Sequence, residues 1–178
     1  MTWRLHAASA LFAALVLLAG CGGDSSTAEP PMTSDASVES PLLADGRWFG
    51  YIRAVDPSAS PQTISFDVAE FLVGNEAQRA AEAEGAVSPG EPVSNDYYVR
   101  NPEKTVRTLS LMPNASVSVV RCPNSCSEGH KGLLADLLAS FDDPRPRTLG
   151  DDYRGSDSQY WVTLGGGRVV AIDAQYVP

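Results

Sequence analysis

The sequence predicts an α+β fold dominated by antiparallel sheet, built as a small barrel or a strongly curved sheet. It has about six or seven short strands and two helices. Three observations predict it. Short runs rich in aromatic and β-branched residues recur along the chain, each bounded by Gly, Pro, Asn or Asp. The chain closes on a hairpin pattern, Tyr160–Leu164 and Arg168–Ile172 flanking Gly165-Gly166-Gly167. One segment, 129–141, repeats leucines at helical spacing.

The elements follow in order. Trp48-Phe49-Gly50-Tyr51-Ile52-Arg53-Ala54-Val55 reads as a strand that Asp56-Pro57 ends. Thr63–Val68 alternates with Ile64, Phe66 and Val68 on one face, so the two runs predict a hairpin across a loop of about six residues. Asn75 is the expected cap of a helix over Glu76–Glu84, with Gly85 as its stop. Its apolar residues are mostly alanine, which predicts weak packing or exposure. Residues 86–95 read as loop. Tyr97–Arg100, Val106–Leu111 and 117–120 read as three strands, with Pro113-Asn114 breaking the second from the third. Leu133, Leu134, Leu137, Leu138 and Phe141 form the buried stripe of the helix predicted over 129–141, which Asp142-Asp143-Pro144 ends. Residues 144–157 read as polar loop. In the closing hairpin Tyr160, Val162 and Leu164 share one face and Trp161 and Thr163 the other. The opening pair of strands is similar to those of small Greek-key barrels; a curved sheet wrapped on the 129–141 helix is the alternative.

The domain plan is read from composition. Arg4 is followed by the almost wholly apolar run Ala7–Leu18, too short to span a bilayer comfortably, and then by Leu18-Ala19-Gly20-Cys21. This ending resembles the bacterial lipobox, which implies a signal peptide over 1–20 and a lipidated Cys21 at the start of the mature chain. Residues 21–44 carry no aromatic residue and are rich in Ser, Thr, Pro, Gly and acids, the composition of a tether with an r.m.s. span of about 25–29 Å. Residues 45–178 are expected to form a single β-rich domain. The expected location is the cell membrane, lipid-anchored and facing outside the cytoplasm, with the bilayer as partner through acylated Cys21.

Thirteen basic and 22 acidic residues give a net charge of −9, and loss of Arg4 with the signal leaves −10. That balance repels phosphate backbones and argues against nucleic acid as a partner. With Cys21 acylated, Cys122 and Cys126 remain as an even pair whose default outside the cytoplasm is a disulfide. His130 extends them to C-x3-C-x3-H, a spacing outside the usual zinc classes, so no metal site is expected. A loop this short contributes about 2 kcal/mol in the chain-entropy picture.

Asn95, Asp96, Tyr97, Tyr98, Arg100 and Asn101 gather amides, a carboxylate, phenols and a guanidinium at a loop-to-strand boundary and form the candidate binding surface. The competing reading is turn chemistry, with one tyrosine in the core. Asp45-Gly46-Arg47 before the first strand also reads as a turn. Asp151, Asp152, Tyr153, Arg154 and Asp157 read as a charged loop, because their spacing does not match a calcium loop. No G-x-S-x-G, H-E-x-x-H or phosphate-binding glycine loop is present, so no catalytic residue and no cofactor is expected.

Four motifs form a set: Asp45-Gly46-Arg47-x-Phe49-Gly50-Tyr51-Ile52-x-x-Val55-Asp56, Phe71-Leu72-x-Gly74-x-Glu76-Ala77, Asn95-Asp96-Tyr97-Tyr98-Val99-Arg100-Asn101, and the ending Gln175-Tyr176-x-Pro178. Together they resemble a group of small bacterial lipoproteins and secreted proteins of unknown function. The resemblance spans 45–178, implies no activity and lends no catalytic residues, and the Cys122–Cys126 insert lies outside it. The expected function is therefore a non-catalytic envelope lipoprotein that binds a small molecule or an envelope protein. The alternative is an envelope hydrolase using acidic residues, which requires two carboxylates at the mouth of one cleft.

Overall fold

The computed structural model describes residues 42–122, 126–142 and 152–177. The signal segment 1–20, Cys21, the tether as far as residue 41, Pro123–Ser125, the Asp143-Pro144 break, most of the 144–157 loop and Pro178 lie outside the described residues. No helix among the described residues is long and apolar enough to cross a membrane.

Seven strands, β1 (Gly46–Asp56), β2 (Thr63–Val73), β3 (Tyr97–Arg100), β4 (Val106–Arg121), β5 (Ser127–Gly132), β6 (Gln159–Gly165) and β7 (Arg168–Gln175), run in the order β3-β2-β1-β6-β7-β4-β5. A further β2–β4 pairing closes β1, β2, β4, β7 and β6 into a five-stranded barrel and leaves β3 and β5 outside the ring. Every pair is antiparallel except β4–β7. Among the barrel strands the fourth, β6, returns beside the first, which is Greek-key order. The fold is thus α+β and mainly antiparallel, and the barrel closes without needing a helix to wrap around. Closure removes the exposed edges that the five barrel strands would otherwise present.

The period-two pattern of the sequence decides the interior. Ile52, Ile64, Phe66, Val117, Val119, Tyr160, Val162, Leu164, Val169 and Ile172 fill the barrel at 6% exposure or less. The Tyr160 phenol, though buried, donates to the Gly155 carbonyl at 2.7 Å, so its hydroxyl carries no desolvation cost without a partner. Gly50 sits where β1 meets β2 most closely: a Cβ there would fall on the backbone carbonyl of Asp67.

Three expectations are corrected. Residues 106–121 form one strand rather than two. Pro113 and Asn114 are exposed and lie where the β4–β7 register shifts between Leu111 and Ser116, a bulge that tolerates a missing N–H. The strand turns a corner there, leaving β2 and joining β7 and β5. Residues 129–132 are strand, and helix α2 covers only Leu134–Ala139; pairing with β4 overrides the helical spacing of the leucines. Leu137 and Leu138 still join the barrel core. Helix α1 (Gly74–Ala83) starts after Val73 with no side-chain cap from Asn75. It is neither weakly packed nor exposed: Ala77, Ala80 and Ala81 are buried where α1 lies against β2 and β3. Small side chains let the helix approach the sheet closely. Gly85, at φ +71°, ends it in the left-handed conformation, as expected.

Candidate functional site: an outward groove across the barrel

The six residues of the predicted surface do not share one face. Asn95 and Asp96 are exposed and both adopt positive φ (59° and 56°), the left-handed pair that turns the chain into β3. Alternation then sends Tyr97 and Tyr98 to opposite sides. Tyr97 stacks on Phe71 at 5.5 Å between ring centroids, within a row that continues through Phe49 to Trp161. Tyr98 donates to Glu84 at 2.9 Å, and this bond, with desolvation and the Glu84 charge, pushes its phenol above the ordinary value. Arg100 pairs with Glu70 and lies 3.7 Å from Glu84; the Glu70 contact raises its pKa further. Asn101 donates to the buried carboxylate of Asp67 at 2.9 Å.

Asp67 itself is 3% exposed. A bulge in β1 leaves Arg53 without a partner in the ladder, and its guanidinium reaches Asp67 at 3.0 and 2.7 Å while lying over the Tyr51 ring. This cluster locks β1, β2 and the end of β3 together. Asp45 works over a longer range than a local turn: its carboxylate accepts the Gly166 and Gly167 amides at 2.8 and 2.9 Å and so clamps the start of β1 to the β6–β7 turn.

The sulfur atoms of Cys122 and Cys126 lie at disulfide distance, with Cα atoms 4.0 Å apart. His130 Nε2 faces Ser127 Oγ at 2.8 Å across Gly129. Among the described residues its imidazole has no carboxylate partner. Asp152 is paired with Arg121 at 3.0 Å, and Tyr153 accepts the Leu133 amide.

The concavity with convergent polar groups lies elsewhere. Register places Phe49, Trp161, Asp173, Ser118 and Lys131 in one row across β1, β6, β7, β4 and β5. Around this row a groove of about 390 Å³ is lined by Arg47, Ser118, Glu128, Gly129, Trp161, Asp173, Ala174 and Gln175. Its walls are tied by two hydrogen-bond chains. Trp161 Nε1 donates to Gln175 Oε1 (2.6 Å), and Gln175 Nε2 donates to Glu128 Oε1 (2.6 Å), which also accepts the Tyr176 amide. Ser118 Oγ donates to Asp173 Oδ1 (2.8 Å), and Arg47 meets Asp173 Oδ2 at 3.5 Å while its guanidinium covers Trp161 at 4.5 Å. Such mutual fixing holds the side chains in place before anything binds. A second, more apolar pocket of about 270 Å³ opens near Leu43, Trp48 and Val68, and lacks this convergence.

Sequence reasoning missed Ser118, Glu128 and Asp173 altogether. The available signal was Trp161, a large aromatic at an outward position of an alternating strand. Comparison with protein-family models, with curated proteins and with solved structures finds no match for this chain.

Proposed function

We propose that this protein is a membrane-anchored bacterial cell-envelope lipoprotein whose barrel is a non-catalytic binding module for a small molecule or an envelope protein. The observation that carries the binding role is the groove at Trp161: a concave surface with an aromatic, a guanidinium, an amide and two carboxylates held by one another. Leu18-Ala19-Gly20-Cys21 and the tether after it support the anchor, and the motif set that resembles small bacterial lipoproteins supports the same reading. Acylated Cys21 then holds the chain to the bilayer, and the tether lifts the barrel off the headgroups.

Native mass spectrometry of the mature chain, before and after incubation with an envelope extract, tests the binding role. A discrete added mass that Trp161→Ala removes supports it; a bare protein in both samples overturns it. Cell fractionation tests the anchor: Cys21→Ser is expected to leave the membrane fraction, and retention there refutes acylation as the tie.

The second reading is an envelope hydrolase using acidic residues. It is favoured by Glu128 and Asp173 lining one groove. Both carboxylates already accept donors from the groove wall, which fits a structural role better. Turnover of an envelope polysaccharide abolished by both Glu128→Gln and Asp173→Asn would replace the binding reading with this one.

A further inference from the structure

We propose that the groove takes a neutral, hydroxyl-rich saccharide; this rests on reading the groove as a binding site and names its ligand class. Trp161 Nε1, the Gln175 amide and the Ser118 hydroxyl proton are already engaged within the wall. Arg47 meets Asp173 through one nitrogen only and is 54% exposed on its side chain, so most of its five N–H donors face outward. The second carboxylate oxygen of Glu128 and the remaining lone pairs of Asp173 are free acceptors. The groove therefore offers donors and acceptors side by side. A hydroxyl group is both, so a polyol satisfies either kind at each position.

Charge points the same way. Within the lining Arg47 opposes Glu128 and Asp173, and the exposed Lys131, outside the lining, is in register with Ser118. The lining mixes both signs, with two carboxylates to one guanidinium, so an anion meets the carboxylates and a cation meets Arg47. A net charge of −10 on the mature chain further disfavours phosphate-bearing or acidic ligands. Arg47 lies over the Trp161 ring, so a ligand in the groove meets the planar guanidinium stacked on the indole rather than an open aromatic face. The volume of about 390 Å³ lies at the lower end of small-ligand sites and admits one or two rings.

The test is isothermal titration of the full mature lipoprotein, solubilised in detergent. The probes are maltotriose, mannotriose and tri-N-acetylglucosamine, with trigalacturonate as the anionic control and trilysine as the cationic one. At least one neutral trisaccharide is expected to bind with an affinity insensitive to salt. Glu128→Gln, at an exposed position that leaves the fold intact, is expected to weaken it about tenfold, the loss of one charge-assisted hydrogen bond. Trp161→Ala is expected to abolish it, with a melting curve to confirm folding. Binding of only trigalacturonate or trilysine overturns the proposal, as does neutral-sugar binding unchanged in Glu128→Gln. If no neutral sugar binds but an envelope-extract adduct is present and lost in Trp161→Ala, the saccharide class falls and the binding role stands. If neither binding nor adduct is seen, both fall.

Discussion

Replacing Asp67 with alanine probes the cluster that ties three strands together. The carboxylate is 3% exposed and accepts Arg53 Nε, an Arg53 terminal nitrogen and Asn101 Nδ2, all on Oδ2. Removing one partner of a buried ion pair costs about 3–5 kcal/mol. Two features lower that figure here. The Arg53 side chain is 46% exposed, so its freed guanidinium rehydrates. Asp67 Oδ1 is buried without a partner, so its removal relieves one native unfavourable term, while Asn101 Oδ1 stays unpartnered in parent and variant alike. What remains is the orphaned Asn101 donor and the lost attraction, about 2–3 kcal/mol. In a domain of this size that lowers Tm by about 6–12 °C. Asp67→Asn keeps an oxygen for Arg53 and turns the unpartnered Oδ1 into an N–H donor in a pocket that holds the unpartnered Asn101 Oδ1, so it is expected to cost only about 1 kcal/mol. Circular-dichroism melts at pH 7 read both variants. An alanine variant melting within 2 °C of the parent, or an asparagine variant less stable than the alanine one, would refute the reasoning.

Four further outcomes follow from the same geometry. Gly50→Ala, whose methyl would meet the Asp67 carbonyl, should cost about 3 kcal/mol or more by chemical denaturation, and a neutral result would mean that β1 and β2 can part at that point. Asp45, Asp56 and Glu82 are held below the usual carboxylate range, by the Gly167 and Gly166 amides, by the Ser58 hydroxyl and nearby amides, and by the Gly90 amide with Gln78 respectively. A depressed folded-state pKa adds stability above the unfolded value and loses it as pH falls through the folded one, so melting temperature should drop below pH about 4, and Asp45→Asn should flatten that drop. Serine at both Cys122 and Cys126 should cost at most about 2 kcal/mol, read by urea titration, because the closed loop is short. Ala81→Asp, which sets a carboxylate at a position with 0% exposure, should detach α1 and expose its amides to hydrogen exchange.

The parts of the fold legible in the sequence were those settled by neighbours in the chain. Tyr160, Val162 and Leu164 face inward and Trp161 outward because a strand alternates, and the glycines at 165–167 leave the chain free to turn back. The failures came where a distant partner decides. Residues 129–132 have no strand propensity to notice, yet β4 recruits them as an outer strand. Pro113 looked like a boundary because a central strand cannot hold proline, but the corner of a barrel can. Alanines on α1 looked too small to matter, whereas their size is what lets the helix lie close on β2 and β3.

The groove shows why a site of this kind escapes a reading along the chain. Its polar groups come from β1, β4, β5, β6 and β7, and apart from Asp173 and Gln175, two apart on β7, they lie far from one another in sequence. Each residue also has a sufficient bland explanation: Arg47 as a turn residue, Gln175 as an end of strand, Glu128 as a solvated acid. Only closure of the barrel puts Trp161 next to Asp173 and Ser118 beyond it, because the parallel β4–β7 pairing joins the middle of the chain to its end. By contrast, the Tyr97–Asn101 cluster was conspicuous because its residues are contiguous, and alternation then divided it between two faces. Spacing along one strand reports which side a residue faces, and register between strands reports what it faces. For a barrel that pairs residues 118 and 173, the second is written only in the folded chain.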